Sequence, residues 1–253
     1  MKKERLILGI VLFTLGFIGV LSILTMNIPL PEEASKILLE QFTPKQIKLL
    51  TLINPTILLI VAILLGVFMH DKVSLDVPII KGIIKNDKNY QISSILKYGI
   101  IGGVISGIIL TLVGVVFYPI LPLEFIELGD TLKPTLIARF LYGGLTEEIL
   151  MRFGLMSFVI WLLSKIFKTI NSKIYWIGIL IAAVIFALGH FPIAFQAVSN
   201  PSGLLLSYIL IGNSIGGVIF GWLYWKKGLE TAFIAHICTH IIMILGEPLI
   251  NIV

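Results

Sequence analysis

Long apolar runs alternate with short polar segments along this chain, and the alternation sets its predicted elements. After Met1-Lys2-Lys3-Glu4-Arg5, residues 6–26 are almost wholly apolar, and roughly 20 such residues cross a ~30 Å hydrocarbon core as a helix. A secretory signal has an apolar region of only about 7 to 15 residues followed by a small-x-small cleavage site. The stretch from Leu21 to Asn27 lacks such a site, so the pattern predicts a retained first span. Residues 29–50 mix Glu32, Glu33, Lys36, Glu40, Lys45 and Lys48 with apolar positions, as in a helix lying in the membrane interface. Further spans are predicted at residues 49–69, 98–121, 174–191, 203–225 and 229–245, the last one ended by Gly246-Glu247-Pro248. Residues 135–167 form another apolar run of about 33 residues, ~50 Å as one helix and too long to stand upright. A break or strong tilt is therefore expected there, with Gly143-Gly144 and Gly154 as break points. Gly99, Gly103 and Gly107, and later Gly212, Gly216, Gly217 and Gly221, make small-residue rows that allow helices to approach closely. The expected fold is all-α: a polytopic transmembrane helix bundle of about seven or eight membrane helices, read as a single integral membrane domain over residues 1–253.

Composition agrees with the pattern. Of the 253 residues, 57% are hydrophobic and 13% charged, whereas about a quarter are charged in a soluble globular domain. Basic segments at the N-terminus, residues 70–97, residues 165–173 and Lys226-Lys227 alternate with segments that are acidic, balanced or uncharged. The positive-inside rule then gives seven spans, with the N-terminus cytoplasmic and the C-terminus outside. The net charge of +5 belongs to these loops and to attraction for anionic membrane lipid, not to nucleic acid. One cysteine, Cys238, leaves no intramolecular disulfide.

Ionisable groups inside the apolar runs add chemistry to this picture. A charged side chain at the bilayer centre costs from about 3 kcal/mol on insertion scales to more than 10 in simulations, so it turns inward and has partners. Glu147 and Glu148 stand in such a run, and Arg152, four residues after Glu148, lies on the same helix face. Glu148 and Arg152 are expected to pair, leaving Glu147, about 100° around the helix, free for chemistry. His190, His236 and His240 also fall in apolar runs, with Phe186–His190 and His236–His240 each spaced by four residues. A lone intramembrane histidine is as readily a structural hydrogen-bond partner as a functional one. Arg139 reads as a membrane-edge or structural residue, and His70, Lys97 and Glu247 as boundary residues. Three histidines with paired glutamates are harder to explain as structure alone. In a buried polar cavity of the bundle, a carboxylate and a histidine polarise a water and move its proton, while two further histidines stabilise an oxyanion. Two other classes compete: a proton-coupled transporter, although inverted repeats are not visible, and a non-enzymatic immunity protein. His190, His236, His240 and Glu147 would also make a three-nitrogen, one-oxygen set for Zn²⁺, without an HExxH motif.

Three motifs follow in order on successive predicted spans: Glu147-Glu148-Ile149-Leu150-Met151-Arg152, Phe186-Ala187-Leu188-Gly189-His190 and His236-Ile237-Cys238-Thr239-His240. The series EExxxR, FxxxH and HxxxN/D resembles the signature of the CAAX protease and bacteriocin-processing family (CPBP, or Abi), intramembrane endopeptidases related to CAAX prenyl protease type II. The motif-bearing part is residues 135–245, and the first 130 residues match only as spans. The resemblance implies an intramembrane endopeptidase in which Glu147 and His190 activate the water. Glu148, held by Arg152, and Phe186 would support the site, and His236 would bind the oxyanion. The chain departs from the family at His240, where an Asn or Asp is usual; a histidine still donates a hydrogen bond but is bulkier and titratable. The resemblance implies no cofactor, with zinc the alternative. It also implies a peptide or protein substrate, including lipidated ones: a CAAX-type C-terminal tail, or a leader or bacteriocin peptide. The expected location is a prokaryotic cell membrane.

Overall fold

The computed structural model describes residues 2–30, 32–87 and 89–250, and these contain helices and turns but no strand. Helix α1 (Lys2–Ser22) is followed by α2 (Glu32–Gln41), α3 (Pro44–Leu50) and α4 (Ile53–Met69). The single interface helix expected over residues 29–50 is thus divided. Thr43 caps α3 by accepting from the Gln46 N–H while its own N–H donates to the Gln46 side chain, and Pro44 fills the first helical position, where no donor is needed. Next come α5 (Pro78–Lys85), α6 (Ile92–Phe117), α7 (Pro122–Leu132), α8 (Leu136–Phe167), α9 (Ser172–Leu188), α10 (Phe191–Ala197), α11 (Gly203–Lys227) and α12 (Leu229–Ile250). Seven of the described helical stretches are long and apolar enough to cross a membrane, the expected number. Ile57, Ile105 and Leu180 face outward on them, whereas Glu148, Arg152 and Thr146 are buried. That sorting suits a hydrocarbon surround, in which polar groups must be satisfied within the protein.

Helix α8 does not break. It runs from Leu136 to Phe167, and from Arg139 to Glu147 and again from Ile149 to Met156 its backbone takes the wider π-helical winding. Such winding is rare and often marks functional sites. The glycines expected to break the helix are instead points where neighbours press against it. A Cβ on Gly144 would overlap Ile237, and one on Gly154 would lie 2.5 Å from the Ala62 Cβ. The Thr146 hydroxyl fixes α8 to α1 by donating to the Gly16 carbonyl at 2.7 Å.

Helix α12, which carries His236 and His240, lies along the glycine row of α6. A Cβ on Gly103 would overlap the Cys238 Cβ and lie 2.5 Å from the Ala235 carbonyl oxygen. The helix also continues through Pro248 to Ile250, past the expected stop at Gly246-Glu247-Pro248. A proline so near a helix end removes only one terminal bond, and Gly246 packs directly on Thr111. His70, expected at a boundary, is buried and bonded through Nδ1 to the Gly66 carbonyl at 2.8 Å.

The span ends sort into two layers. At one end the Leu229 N–H donates to the Asp76 carbonyl, the Tyr175 hydroxyl to the Val73 carbonyl, and Lys227 sits 4.0 Å over the Tyr98 ring. At the other, Asn27 donates to the Thr131 carbonyl, Ser202 to Glu124, and Thr131 to the Ala197 carbonyl.

Candidate active site

The π-wound part of α8 places two adjacent carboxylates on different neighbours. Glu148 is fully buried, with one oxygen accepting from His236 Nδ1 at 2.8 Å and the other 3.2 Å from Arg152 Nε. The second contact is a close approach of charges without hydrogen-bond alignment. Arg152 is equally buried, and its guanidinium lies between two aromatic faces, 4.8 Å from the Phe186 ring centre and 5.4 Å from that of Phe220. A carboxylate and two ring quadrupoles together offset the cost of burying this cation. Phe186 therefore has two functions: its ring supports Arg152, and its carbonyl accepts from His190 Nδ1 at 2.9 Å.

Glu147 takes the other side. Its two oxygens lie 3.9 Å from His190 Nε2 and 4.0 Å from His236 Nε2. The tautomers follow from the partners. A backbone carbonyl can only accept, so His190 carries its proton on Nδ1; an ionised Glu148 imposes the same on His236. Both neutral imidazoles then turn an Nε2 lone pair toward the Glu147 carboxylate. A donor at His236 Nε2 requires the imidazolium.

His240 stacks on His236 with ring centres 4.9 Å apart, and His236 stacks on Phe220 at 4.6 Å. Among the described residues His240 Nδ1 is buried without a hydrogen-bond partner, which favours the tautomer with the proton on Nε2. That Nε2 turns to the space over Gly143, where an added Cβ would lie 2.8 Å from it and 3.5 Å from His236 Nε2.

The three histidines line one end of a cavity of about 610 Å³ whose walls are mostly apolar, including Leu110, Phe125, Leu128, Ile193, Tyr208 and Met243. Glu147 stands behind the histidines but keeps 17% of its side chain accessible. Asp130, Arg139 and Glu247 line the cavity as well, and Arg139 Nη1 bonds to Glu247 Oε1 at 2.9 Å. Arg139, expected at the membrane edge or in a structural contact, does make such a contact, cross-linking α8 to α12 through Glu247, which was expected as a boundary residue.

All seven residues singled out in the sequence, Glu147, Glu148, Arg152, Phe186, His190, His236 and His240, form one chain of contacts. Among the described residues no three His, Cys, Asp or Glu side chains are arranged to hold an ion. Sequence reasoning missed Gly143, Phe220 and the Arg139–Glu247 pair. Gly143 stands four residues before Glu147, and that spacing was a usable signal; nothing in the sequence distinguished Phe220.

Residues 130–242 match a family model described as type II CAAX prenyl endopeptidase, Rce1-like. No curated protein and no solved structure matches the chain. The matched stretch contains all three motifs.

Proposed function

The chain is a member, through residues 130–242, of the Rce1-like type II CAAX prenyl endopeptidase family of membrane peptidases, and on that premise we propose that it hydrolyses a peptide bond with a water activated by Glu147. The observation that carries this reading is the position of Glu147, 3.9 and 4.0 Å from two imidazole nitrogens. Those gaps are too long for direct hydrogen bonds and suit a single bridging water. In the proposed reaction Glu147 takes one proton from the water as its oxygen adds to the substrate carbonyl carbon. His190 holds the water through its Nε2 lone pair. The carbonyl oxygen becomes an oxyanion, which the His240 Nε2–H stabilises from the space over Gly143. Glu147 then passes its proton to the substrate nitrogen as the carbon–nitrogen bond breaks, giving a carboxylic acid and an amine. His236, held by Glu148, becomes a second oxyanion donor only as its imidazolium. The Glu148–Arg152 pair positions it.

The family implies a peptide or protein substrate. The apolar walls of the cavity favour a hydrophobic or lipid-bearing segment over a polar peptide. Mass spectrometry of peptides from cells expressing the wild type or Glu147→Ala identifies the substrate: a fragment present only with the wild type is expected, and identical profiles would count against proteolysis.

A further inference from the structure

The cavity has a side. Its lining comes from the last turns of α6, from α7, the start of α8, the junction of α9 and α10, α11 between Tyr208 and Phe220, and α12 between His236 and Ile250. The lining runs from the layer that contains Asn27, Thr131, Ser202 and Glu247 inward to Phe220 and His236, and none of its residues belongs to residues 1–5, 70–97, 165–173 or 226–230. The described residues of those four segments make the opposite layer, and the segments as sequence hold thirteen Lys and Arg against five Asp and Glu. The described segments at the cavity end, residues 26–30, 32–51, 118–139, 190–203 and 246–250, hold five Lys and Arg against seven Asp and Glu. Arg152, Glu147 and Glu148 lie between the layers and complete the totals of 19 and 14.

Excess Lys and Arg in short loops marks the cytoplasmic face, and here the excess is thirteen against five. We propose that the catalytic cavity opens on the non-cytoplasmic side, and that its substrate is a peptide segment presented from that side or from the outer half of the bilayer. As to substrate, this rests on the peptidase reading; as to sidedness, it rests on charge and geometry alone. A tail of a protein that never leaves the cytoplasm has no route to His190 and Glu147. An exported peptide, or an outward-facing segment of a membrane protein, meets the Arg139–Glu247 pair first and then the apolar walls.

Two exposed positions report the two layers: Asp130 at the cavity end and Lys168 at the other. In a Cys238→Ala background, single Asp130→Cys and Lys168→Cys variants are treated in intact bacteria with a membrane-impermeant maleimide, then again after lysis. The proposal predicts that Asp130→Cys is labelled in intact cells and Lys168→Cys only after lysis. The reverse pattern, or labelling of both in intact cells, overturns it. A membrane-impermeant library of hydrophobic peptides, supplied to intact cells expressing wild type or Glu147→Gln, tests the substrate side separately. Cleavage by the wild type alone supports outside entry. The expected labelling with no cleavage leaves the sidedness standing and overturns the substrate assignment, whereas cleavage seen only after lysis overturns outside entry.

Discussion

At His240 a histidine stands where the resembled HxxxN/D motif has an amide or carboxylate, and in the proposed reaction its Nε2–H is the donor turned to the space over Gly143. Losing one oxyanion donor typically costs about 3 to 4 kcal/mol of transition-state stabilisation, or roughly 10²- to 10³-fold in rate. His240→Ala should lose that factor in kcat with little change in KM, while His240→Asn should retain most of the activity. Equal losses in the two variants would contradict the donor assignment. Gly143 gives a second test at this scale. Gly143→Ala places a methyl group 2.8 Å from His240 Nε2 and fills the space assigned to the oxyanion. Activity should fall at least tenfold while the melting temperature changes by only a few degrees; unchanged turnover would move the reacting carbonyl elsewhere. The charged and imidazole residues were legible because ionisable groups in apolar runs need a reason to be there. Gly143 looks like a break point instead, since a sequence shows a glycine's weak helix propensity but not the ring that approaches it. Phe220 was invisible because one phenylalanine in an apolar span looks like every other.

Among the helices, the rows of glycine announced close packing without naming the partner. Gly103 meets Cys238 and Ala235 of α12, so the α6 row sets the height at which His236 and His240 stand. Gly103→Val would force the two helices apart, and overpacking of this kind costs about 1 to 3 kcal/mol. Thermal unfolding in detergent should show a lower melting temperature, accompanied by loss of activity. Gly203→Ala, outside the cavity and with open space around the new Cβ, should show neither change. Equal behaviour of the two variants would remove the row from the account of the site. The length of α8 was legible, but its continuity was not. Hydrophobic run length gives no sign of π winding, and the expected break at Gly143-Gly144 and Gly154 gave way to packing against Ile237, His240 and Ala62. The stop at Gly246-Glu247-Pro248 failed for a similar reason, because Thr111 packs on Gly246 and Glu247 is engaged by Arg139.

Over the whole molecule, the number of candidate spans and the layering of charge were written in composition, because a bilayer imposes them on any chain that crosses it. The cavity was less legible, since its walls are side chains of α6, α7, α10, α11 and α12 that carry no motif. The buried glutamate–histidine cluster is proposed to cut peptide bonds. The direct measurement is made on purified protein in liposomes, following cleavage of a hydrophobic peptide library and proton flux in the same preparation. Cleavage by the wild type is expected, with its loss in Glu147→Gln at an unchanged melting temperature and no proton flux in either protein. Proton flux that disappears in Glu147→Gln, from a protein that never cleaves a peptide, would contradict it.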